Sequence, residues 1–308
     1  MQHFDSLRAA QLGGAWLSIG AFDGVHVGHQ AILKQLAAGA QQAGAPAVLL
    51  TFHPHPREVL GGAQHAFYLT GPQEKVDLVA ELGLEAMITH PFTTQTAQTT
   101  ARDFVGLLHK HLGLKQLWVG RDFALGHNRV GDVATLQRFG QELGFGVHVI
   151  QPVEREGEIV SSSRIRRLLG EGDVEGAKQL LGRPYRLSGR VASGAGRGHG
   201  LGIPTANLLV EGRRVVPASG VYTGWAALAG RRWGAVTNIG VRPTFEDRLE
   251  APVVETHLLD YDGEDFYDQG LQLDFAARLR AEKRFSGVDQ LLAQIRLDIE
   301  QAREVLNT

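Results

Sequence analysis

The segment from Gly20 to His29 reads GAFDGVHVGH and decides the fold of the first half of the chain. It follows the apolar run Ala15–Ile19, which predicts a buried strand, and precedes the helical pattern Gln30–Gln42. A glycine-rich loop between a strand and a helix is typical of an anion site, because free N–H groups and the helix dipole meet there. We therefore expect His26 and His29 to face a phosphate.

A metal ion is the alternative ligand for these two imidazoles. Zinc sites in proteins use three or four side-chain ligands, and the neighbouring sequence offers no clear third one. A His-x-x-His pattern by itself is usually structural. Its position between a strand and a helix favours the phosphate interpretation.

Apolar runs alternate with helix-length segments as far as residue 182. This alternation predicts a doubly wound α/β domain with a parallel sheet, whose sites lie at the carboxyl ends of the strands. The other predicted strands are Ala47–Phe52, Ala86–Thr89, Gln116–Val119 and Val147–Ile150, and the other predicted helices are Glu74–Leu82, Ala101–Leu112, Asp132–Leu143, Ser163–Leu169 and Val174–Leu181.

The pattern changes after the Gly-Arg-Pro triplet at 182–184. Period-two runs punctuated by glycine and proline then predict a small antiparallel β-barrel or sandwich. A C-terminal helix follows, with apolar residues at i, i+3, i+4 and i+7 that we expect to pack on the barrel. We predict two domains, 1–183 and 184–308. The strands are expected at Arg186–Val191, Val221–Ala227, Arg232–Val236, Val253–Leu258 and Leu271–Phe275, and the helical stripe is Val288, Leu291, Leu292, Ile295, Ile299, Ala302 and Leu306.

Composition narrows the class of protein. The 308 residues are 43% hydrophobic and 21% charged, which is typical of globular proteins. Cysteine is absent, so disulfides, thiolate metal sites and cysteine nucleophiles are excluded. The net charge of −2, with no basic block, gives no reason to expect nucleic acid. No membrane span or export signal is visible, so we expect a cytoplasmic protein without a membrane partner. Whether it forms a homo-oligomer stays open.

The segment 20–29 resembles the HxGH motif of nucleotidyltransferases, which transfer a nucleotidyl group from ATP. An acceptor phosphate is already an anionic nucleophile, so the reaction needs stabilisation of charge at the α-phosphate rather than a general base. Ser162, Ser163 and Arg166, at a predicted helix start, offer hydroxyls and a guanidinium for the β- and γ-phosphates. Serine N-caps with exposed arginines are the alternative there.

Two more segments, TFHPHP at 51–56 and VGRDFALG at 119–126, follow predicted strands. With 20–29 and SSSRIR at 161–166, they resemble the FAD synthetase half of bacterial bifunctional riboflavin kinase/FAD synthetases. Ala21, Ala124-Leu125 and Ser163 replace the usual Asn, Arg-Phe and Thr of that family. The resemblance implies ATP contacts at Gly20, Phe22, Asp23, Gly24, His26, His29, Ser162, Ser163 and Arg166, and contacts to the flavin substrate at His55, Asp122 and Phe123.

The second half contains a glycine-rich segment, GAGRGHG at 194–200, that matches neither common nucleotide loop. It lacks the G-x-G-x-x-G spacing, and Pro204 stands where that motif needs a helix. A P-loop is excluded because the sequence has no Gly-Lys pair. Backbone N–H groups of a glycine-rich strand connection can still surround phosphates.

Two segments of the second half carry polar side chains in or beside predicted β-structure. Thr205 and Asn207 in GIPTANL could share one metal ion, and a plain turn is the alternative. Glu255 and His257 in VETHLLD share one strand face, because side chains alternate with period two. A carboxylate among apolar strand residues needs a function or a partner, and pairing with an arginine is the alternative to a catalytic role.

Together with TNIGVRPTF at 237–245 and the C-terminal helix, these segments resemble riboflavin kinase over residues 184–303. The resemblance implies Thr205 and Asn207 as Mg-ATP ligands and Glu255 as general base, since a ribityl hydroxyl must lose its proton as it attacks the γ-phosphate. It also implies ATP contacts at Gly196, Arg197 and Gly198, and flavin contacts at Asn238, Arg242 and Glu255. The glycine segment is slightly short, and Arg280 lacks the usual following Pro.

The sequence thus predicts an enzyme that phosphorylates riboflavin to FMN and adenylylates FMN to FAD, using ATP and Mg²⁺ at both steps. Its expected partners are the small molecules riboflavin, FMN, FAD and ATP. Three alternatives stay open. The chain could be a riboflavin kinase with an inactive first half, a flavin-binding protein without turnover, or a nucleotidyltransferase for another acceptor. The last explains only the first half, and pure binding would not need a base and two phosphate sites.

Overall fold

A computed structural model describes residues 1–61, 67–192, 204–241, 252–263 and 266–307. They form two compact units, one with residues 1–61 and 72–161 and one with residues 67–71 and 162–307. The segment 162–181 therefore belongs to the second unit by its contacts. The domain boundary at 183/184 stays a prediction.

Ten strands belong to the first unit. They are β1 (Gln2–Phe4), β2 (Trp16–Ile19), β3 (Ala47–His53), β4 (Ala86–Pro91), β5 (Gln116–Gly120), β6 (Ala124–Leu125), β7 (Gly131–Asp132), β8 (Gly146–Ile150), β9 (Glu154–Arg155) and β10 (Glu158–Ile159). Six of them form a parallel sheet of order β1-β4-β3-β2-β5-β8, as the alternating sequence pattern predicts. The two short pairs β6-β7 and β9-β10 are antiparallel.

The order of the strands reverses at β2, which lies between β3 and β5. In open α/β sheets, ligands bind outside the carboxyl ends of the strands at such a switch point. The loop that leaves the carboxyl end of β2 begins at Gly20. The topology therefore places the histidine motif where this fold class binds ligands.

Helices cover both faces of the sheet. They are α1 (Val27–Ala43), α2 (Pro56–Gly61), α3 (Pro72–Ala80), α4 (Thr94–Gln98), α5 (Ala101–Leu112) and α6 (Val133–Leu143). Val48 and Leu50 pack in the core cluster of α5 and α6, whereas Ala47 and Leu49 pack in that of α1 and α3. This alternation is the expected result of the period-two side-chain pattern of β3.

The helix ends follow local capping chemistry. The Thr100 hydroxyl accepts the N–H of Asp103 where α5 begins, and the helix ends at Gly113 with φ 55°. Helix α3 ends at Ala80, short of the predicted Leu82. Short elements such as β1, α2 and α4 were not predicted, because three to six residues are too few to show a period.

The second unit is built on a closed antiparallel barrel. Its strands are β11 (Tyr185–Ala192), β12 (Ala206–Val210), β13 (Gly220–Leu228), β14 (Arg231–Val241), β15 (Pro252–Leu258) and β16 (Gly270–Arg280), and its helices are α7 (Ser162–Glu171), α8 (Val174–Leu181) and α9 (Val288–Leu306). The order β11-β12-β15-β14-β13-β16 closes on itself, so the barrel prediction is correct and the sandwich alternative is wrong. The alternative of a plain turn at Pro-Thr-Ala-Asn is wrong in part, because Ala206 and Asn207 begin β12.

The C-terminal helix packs through only part of its predicted stripe. Ile299 and Ala302 contact Val221 and Val236 of the barrel, whereas Val288 is 55% exposed. The buried Asp298 interrupts the apolar face, and its carboxylate accepts two hydrogen bonds from Arg280, at 2.9 and 2.7 Å. Among the described residues, no helix combines the length and apolar character needed to cross a membrane.

Candidate active sites

The loop between β2 and α1 has an uncommon backbone. Phe22, Gly24 and Val25 have positive φ angles of 46°, 86° and 41°. For a β-branched residue such as Val25 this conformation is rare, and it persists only where the surroundings enforce it. Phe22 and Val25 are both buried, which supplies that enforcement. The loop therefore presents its histidines from a fixed, strained conformation.

His26 caps α1. Its Nδ1 accepts the backbone N–H of His29 at 3.3 Å, and its side chain is buried. The His26 and His29 rings stack with centroids 3.6 Å apart. Because Nδ1 of His26 acts as an acceptor, the proton of that neutral ring lies on Nε2.

His29 is a neutral imidazole in this environment. Burial, the neighbouring His26 and the Lys75 ammonium, in decreasing order, hold the pKa of His29 well below 6.5. The ring of Phe22 lies 4.6 Å away, and Nδ1 of His29 is buried without a hydrogen-bond partner among the described residues. An imidazole that stays neutral at pH 7 can donate a hydrogen bond to a phosphate without bringing a buried charge.

Lys75 on α3 is a site residue that the sequence analysis missed. Its side chain is buried, and Nζ donates to Ala21 O at 2.8 Å. Burial lowers the pKa of Lys75, and the buried Asp23 carboxylate opposes part of that shift. Nothing in the sequence marks this residue, because a lysine within a helical pattern is normally exposed.

The other predicted loops of the first unit lie at the same sheet edge, because β3 and β5 run parallel to β2. His55 accepts the Arg57 N–H at its Nδ1, at 3.1 Å, which caps α2. The Asp122 side chain is 83% exposed, 3.7 Å from Arg121, and Phe123 packs against the core. The structure thus brings these loops to one edge, and contacts to a ligand there stay predictions.

Ser162, Ser163 and Arg166 lie in the first turns of α7, in the second unit. Arg166 donates from Nε to Phe67 O at 2.7 Å, and its guanidinium lies 3.9 Å from the centre of the Phe67 ring. The arginine therefore holds the segment 67–71, a structural role that the sequence did not indicate.

Three predicted residues form a row across the barrel. Glu255 on β15 is the register partner of Asn207 on β12 and of Asn238 on β14. Directly paired residues of antiparallel strands share one face of the sheet. The neighbours Val254 and Thr256 are buried, whereas the three residues of the row are half-buried. The row therefore lies on the outer face of the barrel.

Side chains near this row hold its surroundings in place. His257 donates from Nδ1 to Pro204 O at 2.8 Å, which fixes the chain just before Thr205. At the other end, a Cβ on Gly240 would lie 2.7 Å from Glu282 Oε1 and 3.6 Å from Asn238 Nδ2. Glu282 is therefore a second carboxylate beside the row, and its significance was not visible from sequence. Gly196, Arg197, Gly198 and Arg242 lie outside the described residues.

The donor set of Thr205 and Asn207 fits magnesium. Both side chains offer uncharged oxygen ligands, and Mg²⁺ prefers oxygen and shares its coordination with water and substrate phosphates. Thr205 is exposed and Asn207 half-buried, so phosphates can reach them. Within the described part of the chain, no three His, Asp or Glu side chains cluster as a metal cage.

Comparisons with known proteins cover both units. A family model described as FAD synthetase matches residues 9–164, and one described as riboflavin kinase matches residues 181–306. The bifunctional riboflavin kinase/FMN adenylyltransferase of Pseudomonas fluorescens is 40% identical over 94% of this chain and 92% of its own. The enzyme of the same name from Escherichia coli K12 is 37% identical over 97% of this chain and 95% of its own. A crystal structure described as a macrolide-efflux protein from Streptococcus pneumoniae matches with TM-score 0.89 and 28% identity, covering 98% of both chains.

Proposed function

The chain belongs to the bifunctional riboflavin kinase/FMN adenylyltransferase family, and from that premise we propose which of its residues carry each reaction. The enzyme phosphorylates riboflavin to FMN and then adenylylates FMN to FAD. Because family models match both halves, neither the kinase-only alternative nor the binding-protein alternative is retained.

In the kinase reaction, Glu255 is the general base. The 5′-hydroxyl of riboflavin attacks the γ-phosphorus of ATP, its proton passes to the Glu255 carboxylate, and the bond to ADP breaks. The observation that carries this assignment is the row of Asn207, Glu255 and Asn238 on one barrel face. In that row Glu255 lies between Asn207, which we assign to the nucleotide, and Asn238, which we assign to the flavin.

Asn207 and Thr205 hold the phosphate end of the nucleotide, with the glycine segment at Gly196, Arg197 and Gly198 around it. Mg²⁺, when bound by Thr205 and Asn207, neutralises negative charge on the phosphate oxygens. Asn238 and Arg242 orient the flavin so that its hydroxyl reaches Glu255. A base within hydrogen-bond reach of that hydroxyl contributes a factor of about 10²–10⁴ to the rate.

In the adenylyl transfer, the FMN phosphate oxygen attacks the α-phosphorus of ATP and the bond to pyrophosphate breaks. No proton needs to be removed, because the nucleophile is already an anion. His26 and His29 donate hydrogen bonds to the α-phosphate oxygens, and the free N–H groups at the start of α1 add to the same field. Gly20, Phe22, Asp23 and Gly24 shape this loop.

The residues that bind the β- and γ-phosphates of ATP and the flavin of FMN are assigned by their positions in the sequence. Ser162, Ser163 and Arg166 bind the β- and γ-phosphates. His55, Asp122 and Phe123 contact the flavin. Both are proposals whose support is the family motif and, for the flavin loops, their position at the sheet edge that carries the histidines.

The test is chromatographic separation of flavins after incubating the purified chain with ATP and Mg²⁺, from riboflavin and, separately, from FMN. Wild type should produce FAD from both. The Glu255→Gln variant should leave riboflavin unchanged and still convert FMN to FAD, and His29→Asn should accumulate FMN. If Glu255→Gln phosphorylates riboflavin at the wild-type rate, the base assignment is wrong. If His29→Asn makes FAD at the wild-type rate, the histidine assignment is wrong.

We also propose a cytoplasmic location, which the use of ATP in both reactions supports. The net charge of −2 supports small molecules rather than nucleic acid as the partners. Light scattering on the purified chain would measure whether it forms a homo-oligomer.

A further inference from the structure

The buried Lys75 ammonium contacts the histidine loop, although Lys75 belongs to α3 and lies 54 residues after Ala21 in the sequence. Its side chain is 8% exposed. Burying a lysine is costly unless its charge is paired and its N–H groups are hydrogen-bonded. A residue that carries this cost beside the proposed catalytic histidines calls for a physical reason.

Lys75 and Thr51 hold the same carbonyl group. Nζ of Lys75 donates to Ala21 O at 2.8 Å, and the Thr51 hydroxyl donates to that oxygen at 2.9 Å. Nζ also lies 3.5 Å from Thr51 Oγ1. The carbonyl is thus fixed from α3 and from β3 together.

The anchored carbonyl immediately precedes the strained part of the loop. Phe22, with φ 46°, follows Ala21 directly, and Val25, with φ 41°, directly precedes His26. A main-chain conformation that costs energy is kept only when neighbouring groups over-determine it. The alanine methyl offers no polar group, so the anchor acts through the main chain.

We infer that Lys75 is a positioning residue for adenylyl transfer: its ammonium holds the Ala21 carbonyl and thereby fixes the loop that presents His26 and His29. The inference rests on the proposed roles of the two histidines. It assigns Lys75 no contact with the substrates.

Charge on Lys75 has a second effect on the same site. Among the described residues, the titratable groups that shift the pKa of His29 are His26 from the loop and Lys75 from α3, and Asp23 acts on Lys75. After burial and His26, the Lys75 ammonium is the third cause that lowers the pKa of His29. Loss of that cation would remove one of the causes that lower the pKa of His29, so this pKa would rise.

The experiment compares Lys75→Met with Lys34→Met, a variant at an exposed lysine of α1. For Lys75→Met we expect kcat of FMN adenylylation to fall between 10- and 100-fold, because a loop displaced by about 1 Å can cost 10²-fold. Its KM for ATP should change less than kcat, and the acid limb of its pH profile should move to higher pH. Lys34→Met should match wild type, and riboflavin phosphorylation should be unchanged in both.

A chemical rescue separates charge from packing. The chain has no cysteine, so Lys75→Cys introduces a single thiol. Alkylation of the unfolded variant with 2-bromoethylamine displaces bromide and restores an ammonium at lysine length, whereas iodoacetamide leaves a neutral side chain. After refolding, only the aminoethylated protein should recover adenylylation. If Lys75→Met loses the near-UV circular dichroism of the folded chain, its activity cannot be interpreted, and the rescue then tests whether the ammonium is required.

Three results would overturn the inference: wild-type kcat and pH profile in Lys75→Met, equal recovery with the neutral adduct, or no recovery with the aminoethyl adduct. His29→Asn distinguishes this failure from that of the proposed function. If His29→Asn is inactive while Lys75→Met is fully active, only the role of Lys75 is wrong. If His29→Asn is active, the histidine assignment itself is wrong.

Discussion

The rings of His26 and His29 stack with their centroids 3.6 Å apart and their planes at 16°. Two imidazolium ions at that distance would repel each other, and the lowered pKa of His29 includes this contribution from His26. Since His26 Nδ1 accepts the N–H of His29, the pair is organised as two neutral rings at the first turn of α1.

Removal of one imidazole should stop adenylyl transfer selectively. We expect His29→Asn to lower the rate of FAD formation from FMN by about 10²–10³, the usual cost of losing one donor to a transition-state oxyanion. Phosphorylation of riboflavin should be unchanged. His109→Asn, at an exposed position of α5, is the matched control. An equal loss in both variants would indicate a general effect on folding.

Acid should destabilise the first unit through His29. The unfolded chain binds a proton at this imidazole near pH 6.5, whereas the folded pKa is well below that value. The unfolded state therefore binds more protons as pH falls below 6.5, and the free energy of unfolding decreases by at most about 1.4 kcal/mol per pH unit from this group. Above pH 6.5 the contribution is constant.

The measurement is urea unfolding at pH values from 7.5 to 5.5, followed by tryptophan fluorescence. The wild-type protein should lose more stability over this range than His29→Asn does. His90, whose pKa is lowered mainly by burial, contributes the same sign to both proteins and cancels in the comparison. Parallel pH dependences would show that His29 is not responsible.

The carboxylate of the barrel row should be essential for phosphorylation alone. In Glu255→Gln we expect the rate of FMN formation to fall by about 10²–10⁴, the contribution of a general base. FAD formation from supplied FMN should continue. Glu300→Gln, an exposed position on α9, should behave as wild type in both assays. A residual rate in Glu255→Gln above a tenth of wild type would argue for another base.

Asn207 should set the magnesium requirement of the kinase. We expect Asn207→Ala to raise the Mg²⁺ concentration for half-maximal phosphorylation by about 10-fold or more, whereas Asn207→Asp keeps an oxygen ligand and a lower requirement. Removing Mg²⁺ with EDTA should stop phosphorylation in wild type. Titration of initial rates against Mg²⁺ at saturating ATP provides the measurement. Gln301→Ala on α9 is the control, and an unchanged Mg²⁺ titration in Asn207→Ala would contradict the ligand assignment.

The Arg280–Asp298 pair should stabilise the docking of α9. Its two hydrogen bonds, at 2.9 and 2.7 Å, join β16 to a carboxylate that is 3% exposed. Breaking a buried pair leaves an uncompensated charge. We therefore expect either Asp298→Ala or Arg280→Met to lower the free energy of unfolding by about 3–5 kcal/mol. Chemical denaturation of each variant measures this change in unfolding free energy.

The exposed pair Arg303–Asp260 supplies the comparison for this prediction. It has the same bidentate geometry, at 2.6 and 2.8 Å, but the Asp260 side chain is 70% exposed. Solvent screens such a pair, so Asp260→Ala should cost much less than Asp298→Ala. Equal effects would mean that burial does not determine the contribution of these pairs.

Local pattern predicted much of the architecture. The alternation of apolar runs and helical segments placed five strands of the parallel sheet, and α5 and α8 have the expected bounds. The loop at 20–29 could be assigned as a site because strand, glycines and helix start are contiguous. Periodicity and capping depend on neighbouring residues, so they are readable without the fold.

Contacts between distant segments required the tertiary structure. The register that aligns Asn207, Glu255 and Asn238 joins three separate strands, and a shift of one residue would turn each side chain to the other face. Closure of the barrel, rather than a sandwich, depends on the same pairings.

The sequence by itself therefore determined the two fold classes, the position of the histidine loop and the residues of the kinase motifs. Only the tertiary structure decided that Lys75 anchors Ala21, that Arg166 holds Phe67 and that Glu282 lies beside Gly240. The reason is physical. Secondary structure follows from interactions within a few residues, whereas burial of a charge and its choice of partner depend on which distant segments pack against it.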